Sequence, residues 1–231
     1  MSLAAVLSSL LAAVGAPASV YFEQTTVASV AGKASGPGVT ARVWYAGARM
    51  RMEPGNAPAG TALVLRLDEG RAWRLDPARK VAIALDLTRL RDQSQMDASM
   101  AGQLMGVGAG LRTDKLPARV VGGYTCSGHR LTLGSAVLDV YVTPRIGASV
   151  SAFTDFLEWS GAAQSMAELI DALRKLPGFP LEMRSRVDVL GEVHETVATV
   201  ANVKVGPLAD SLFAPPPGWT VVPESEAAPD E

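Results

Sequence analysis

Few residues of this chain are equipped for covalent chemistry, and none stands in a spacing that catalytic machinery requires. Histidine, the side chain best suited to proton transfer near neutral pH, occurs only at His129 and His194. Neither has a second ligand nearby at metal spacing, so both read as surface or structural residues. The single cysteine, Cys126, excludes an intrachain disulfide and a Cys-based zinc cage. It follows Gly123-Tyr124-Thr125 at a strand start, where a free cysteine usually acts as a small buried apolar residue. A reactive or intermolecularly paired thiol is the other reading. No G-x-S-x-G elbow and no P-loop occur. The glycines at 106, 108 and 110 fail G-x-G-x-x-G because Leu111 takes the third glycine's place. The acid pairs Asp68/Glu69 and Asp155/Glu158 fall in a turn and on a helix surface, and read as solvated. These residues predict no cofactor, no metal and no catalysis.

What the chain has instead is apolar capacity. Hydrophobic residues make up 48% of its 231 positions, enough to bury a core. Met96, Met100 and Met105 fall in one helical stretch, and Met50, Met52 and Met183 in strands. Methionine fits irregular apolar shapes, which suits core filling or a site that accepts varied ligands. Lys plus Arg total 21 and Asp plus Glu 23, a net charge of −2. Four of the acids (Glu224, Glu226, Asp230, Glu231) lie in the last eight residues, and without them the balance is 21 − 19 = +2. No basic footprint for nucleic acid results.

The elements that must position these residues are mostly strands. Val20–Val27, Val39–Ala46, 49–53, Thr61–Asp68, Arg71–Asp76 and 81–85 alternate apolar and polar residues or carry β-branched and aromatic ones. Tight turns at Glu69-Gly70 and Asp76-Pro77 make the last three an antiparallel meander. Spacing turns helical from Asp86 to about Met105, then strands resume at Arg119–Val121, Tyr124–Leu133 and Ala136–Thr143. A second helical block, 150–176, contains a capping box at Ser165–Glu168, and Pro177-Gly178 stops it. Strands at 181–189 and His194–Val205 close the pattern. An antiparallel sheet with helices on one face is expected.

Residues 1–18 carry no charge, hold an apolar run too short to span a bilayer, and end in Ala16-Pro17-Ala18, a small-x-small cleavage pattern. They predict a signal peptide cut after Ala18, a periplasmic or secreted mature chain, a single domain over 19–222 and a disordered acidic tail over 223–231. The mature chain is not expected to span the membrane.

Three stretches carry a resemblance. They are Leu63-Val-Leu-Arg-Leu-Asp-Glu-Gly-Arg-Ala-Trp73-Arg-Leu-Asp-Pro77, then Val43-Trp44-Tyr45 with Gly47 and Arg51, and Asp210-Ser-Leu-Phe213-Ala-Pro-Pro-Pro-Gly218-Trp-Thr-Val221. In order and spacing they resemble the bacterial outer-membrane lipoprotein carrier (LolA-like) superfamily. Val121-Gly-Gly-Tyr124-Thr-Cys126 is similar to a strand of its uncharacterised secreted relatives. The resemblance implies an α+β, mostly β fold: a strongly curved antiparallel sheet, an open half-barrel, around plug and lid helices. It implies a non-catalytic site for a lipid or a lipoprotein acyl chain. Trp73, Leu63, Leu65, Ile83, Met96, Met100, Leu104 and Phe156 are the candidate lining, and Arg49 is the nearest position to an arginine that holds the carriers' lid closed. The rival readings are an envelope protein-interaction or stress-sensing module of the same fold, and a hydrolase whose His129 or His194 would have to meet a Ser and an Asp in a cleft.

Overall fold

The structure is a computed structural model that describes residues 19–89, 92, 96, 110–146, 163–189 and 191–227. The predicted signal peptide therefore lies outside the described residues, as do Met100, Leu104, Phe156 and the pair Asp155/Glu158. The strands are β1 (Val20–Val30), β2 (Lys33–Ala34), β3 (Val39–Ala46), β4 (Arg49–Pro54), β5 (Ala62–Arg66), β6 (Arg71–Asp76) and β7 (Val81–Ala84). They continue with β8 (Leu111–Val121), β9 (Tyr124–Leu133), β10 (Ala136–Thr143), β11 (Phe179–Val189), β12 (Glu192–Val205) and β13 (Thr220–Pro223). All thirteen join one curved, open sheet in the order β13-β7-β6-β5-β4-β3-β1-β12-β11-β10-β9-β8, with β2 beside β1.

Local turns explain most of this order. Neighbours in sequence pair antiparallel, as short connections favour. One pairing is non-local: β1 meets β12 with Val20 opposite Val205. A bulge interrupts that ladder, where Asn202 takes φ 53° and its side-chain amide donates to Glu23 Oε2 at 2.7 Å. A second departure is β13, which lies parallel on β7.

Over the described residues the element predictions hold apart from the unpredicted two-residue strand β2 and three larger differences; residues 150–162 of the second helical block lie outside the described residues. The first is strand β8, which begins at Leu111, eight residues before the predicted start. Asp114, Lys115 and Pro117 mask it in the sequence, yet an edge strand tolerates all three, and a bulge between Leu116 and Arg119 accommodates the proline. The second is helix α1 (Ala163–Arg174), already helical at Ala163, so Ser165 does not cap it. The Glu168 carboxylate instead accepts the Leu111 backbone N–H at 3.0 Å. The third is β13, which the sequence reading lacked. Of the first helical stretch, Leu87–Arg89, Asp92 and Met96 are helical.

Cross-strand register divides the sheet into two faces. One carries Val20, Phe22, Val43, Tyr45, Met50, Met52, Leu63, Leu65 and Ile83 in its first half. Val200, Leu181, Val140, Val142 and Leu131 continue it in the second, where Leu173 of α1 and Leu176 just beyond its end pack on Leu131, Val140 and Val142. The opposite face of the second half is polar. There Arg130 grips Asp139 with two hydrogen bonds of 2.6 and 2.7 Å, and Arg186 links Asp139 at 3.6 Å to Glu195 at 3.5 Å.

Arg130's hydrogen bonds hold the Asp139 carboxyl below the usual carboxylate range. A depressed native pKa means that the pair stabilises the fold fully above about pH 4, the unfolded value, and is lost as pH falls through the lowered native value. Asp139→Asn leaves Arg130 without its counter-charge and Arg186 with Glu195 alone. It is expected to cost about 1–3 kcal/mol at pH 7. The gap to the parent in urea melts is expected to shrink below about pH 3 as the parent's carboxyl protonates.

Candidate functional site

The helix-bearing face is mostly apolar between Ile83 at one end and Leu131 at the other, interrupted by Arg74 opposite Leu63 and Ile83 and by Gln24 opposite Ala41. Within it Val43, Leu65 and Ile83 are buried, whereas Phe22, Met50, Met52 and Leu63 stay half-buried. Phe22 and Phe179 meet edge to face at 5.5 Å and join the two halves. Beside α1 the face opens into a cleft of about 490 Å³. Leu111, Ala172 and Leu176 form its apolar wall, and His129, Asp171 and Lys175 its polar rim.

His129 is the one histidine in this cleft, and its surroundings are wrong for a base–acid relay. Its Nε2 lies 3.3 Å from Ser127 Oγ. Burial, with Lys115 second, lowers its pKa and keeps the ring neutral at pH 7. Among the described residues no carboxylate is hydrogen-bonded to it, so the orienting acid of a triad is missing. His194 is exposed on β12. Cys126 is fully buried, and burial raises its pKa, which disfavours the nucleophilic thiolate. Among the described residues no three His, Cys, Asp or Glu side chains group to hold a metal.

The predicted lining divides between the two faces. Leu63, Leu65 and Ile83 share the helix-bearing face, as expected. Trp73 does not: it pairs with Val64 and Ala84 and points to the opposite side. Strand β5 buries Ala62 and Val64 on one face and Leu65 on the other, so alternation in an apolar run such as Ala62–Leu65 fails to mark which side holds Trp73. Met96 is 65% exposed.

Trp73 lies instead under the C-terminal segment. Residues 207–219 cross the outer face of β3–β7, and Phe213 enters a socket of Ala46, Val64, Trp73, Leu75 and Ala82 with no surface left exposed. Arg49 belongs to this latch. Its guanidinium lies 4.9 Å over the Phe213 ring and donates to Asp210 at 2.6 Å. Arg51 donates to the Leu212 carbonyl at 3.3 Å. Arg49 therefore sits on the face opposite α1, and its described partners are the C-terminal segment rather than a lid helix. The motif Asp210–Val221 was read in the sequence as an ending; its role as a plug needs the fold. The clue was a lone phenylalanine four residues before Pro217 in a polar, proline-rich segment.

The sequence profile of a domain of unknown function, DUF4412, matches residues 44–219, which runs from β3 through this latch. The chain belongs to the DUF4412 family. No curated protein matches it in sequence. Among solved structures the DUF4412 chain is similar to PNGF-II at 14% identity and a TM-score of 0.38, over 89% of this chain. It spans only 31% of PNGF-II's length. It is also similar to the MucA/MucB complex of Pseudomonas aeruginosa at 13% identity and a TM-score of 0.40, over 84% of this chain and 56% of that one. A third is a domain of Vibrio parahaemolyticus assigned to outer-membrane lipoprotein sorting, at 11% identity and a TM-score of 0.34, over 90% of this chain and 94% of that one. These likenesses concern fold alone. Among the described residues no helix is long and apolar enough to cross a membrane.

Proposed function

We propose that this DUF4412 chain is a non-catalytic binding protein of the bacterial envelope that holds a lipid or a lipoprotein acyl chain on the helix-bearing face of its sheet. The observation that carries this reading is the apolar strip of Phe22, Met50, Met52 and Leu63, half-buried among fully buried Val43, Leu65 and Ile83 on an open sheet. Each methylene moved from water onto such a strip gains about 0.8 kcal/mol, so a chain of several carbons binds without any reacting group. The flexible methionines suit an acyl chain of variable length. Placement in the envelope is supported by the uncharged apolar run that ends at Ala18.

Delipidated protein titrated with palmitate or an N-acylated peptide and examined by native mass spectrometry is expected to show a one-to-one adduct. Met52→Glu puts a charge in the strip and is expected to weaken the adduct at least about tenfold, since one buried charge outweighs two methylenes. Leu63→Gln serves as the milder second variant, and a melting curve confirms that each is folded. Absence of any adduct in the parent protein, or a stoichiometric protein partner that co-purifies without lipid, overturns the reading.

A further inference from the structure

On the other side of the sheet lies a hollow that the helix-bearing face does not account for. Between the C-terminal segment and strands β6 and β7 runs a groove of about 480 Å³, in the range of small-ligand sites. Trp73, Ala84, Leu85, Pro215 and Val221 make its apolar walls, and it opens at Arg71. It shares Ala84 and Leu85 with a second hollow of about 400 Å³ that ends at Arg89 and Glu224. The first is mostly apolar, whereas Asp86, Arg89, Glu224 and Ser225 make the second mixed.

Charge is placed at the two ends unequally. Among the described residues Arg71 is the only charged one that lines the first hollow, and its side chain is 66% exposed. Its contact with Glu69 is 3.7 Å long, outside hydrogen-bond range, because Arg66 engages Glu69 together with Asp68. The Arg71 guanidinium thus keeps a fork of donors free to grip a carboxylate. At the far end Arg89 and Glu224 neutralise each other at 2.5 Å. The second Glu224 carboxylate oxygen is buried there, and Asp86 adds a further negative charge, so the balance at that end disfavours an anion.

We propose that this groove is a second ligand site, which takes a single-chain anionic amphiphile with its carboxylate on Arg71 and its chain along Trp73, Ala84 and Leu85. The site stands apart from the helix-bearing face and does not depend on it. Its test uses the full chain carrying Met52→Glu, so that binding on the strip of the other face is weakened at least about tenfold. Calorimetric titration with dodecanoate is expected to show one site in this background. Adding Arg71→Glu, an exposed change that leaves the fold intact, is expected to weaken dodecanoate about tenfold or more while dodecanol affinity moves less than about twofold. Val221→Glu, also exposed, is expected to weaken both ligands. The proposal is overturned if the Met52→Glu chain binds no dodecanoate, or if Arg71→Glu leaves dodecanoate binding unchanged. Dodecanoate binding to the parent that Met52→Glu abolishes entirely would leave the envelope-carrier reading standing and this one fallen.

Discussion

Gly178→Ala is expected to destabilise the protein by roughly 3–5 kcal/mol, enough to leave little folded chain at 37 °C. Gly178 sits between the end of α1 and β11 with φ +126°, in the region L side chains rarely adopt. A Cβ there would meet the Thr143 carbonyl oxygen at 2.3 Å and Pro144 N at 2.7 Å. Thr143 is fully buried and paired in the β10–β11 ladder, so the backbone that must yield is held on both sides. Backbone strain and steric overlap therefore add. Gly191→Ala is the control. It shares a positive φ, +87°, but its Cβ would meet nothing within 4 Å. Its cost is expected to stay near 1 kcal/mol in the same urea titration.

Phe213→Ala is expected to cost about 3–5 kcal/mol, the usual penalty for emptying a fully enclosed aromatic site. The loss has a second signature. Arg49 would lose the ring that it stacks on, and the latch would keep the half-buried packing of Leu208, Leu212 and Trp219, the Asp210 ion pair, whose carboxylate side is 86% exposed, and the Arg51 bond to Leu212. β13 begins seven residues after Phe213 and pairs only with β7 among the described strands. Hydrogen exchange at Thr220–Pro223 is expected to accelerate far more than at β9–β11. Uniform acceleration across the sheet would show that the socket is not a separate unit of stability.

The sequence was most legible where contacts are local. The meander of β5, β6 and β7 agrees with its predicted spans to within two residues, because Asp68-Glu69-Gly70 and Asp76-Pro77 supply turns next to the strands they join. Legibility fell where a residue's role depends on distant chain. Alternation ordered Leu63, Trp73 and Ile83 relative to their own strands, but only the pairings across β5–β7 show that Trp73 faces away from the other two. β8 hid behind the charges and proline that make it a tolerable edge, and β13 behind its parallel partner some 140 residues upstream. The candidate site followed suit. Leu63, Leu65 and Ile83 were found from periodicity, whereas Arg71 and the Phe213 socket carry no periodic signal and emerge only when residues 207–221 fold back.

The middle of the sheet is a seam between Val20–Val30 and the last long strand, Glu192–Val205. A chain synthesised in order would present β1 first and wait for nearly its whole length before that seam could close. Until then two bare strand edges, on β1 and β11, face outward together. Folding of this protein would thus call for escort by a holding chaperone, and a message truncated before codon 192 would yield aggregates rather than a smaller working domain.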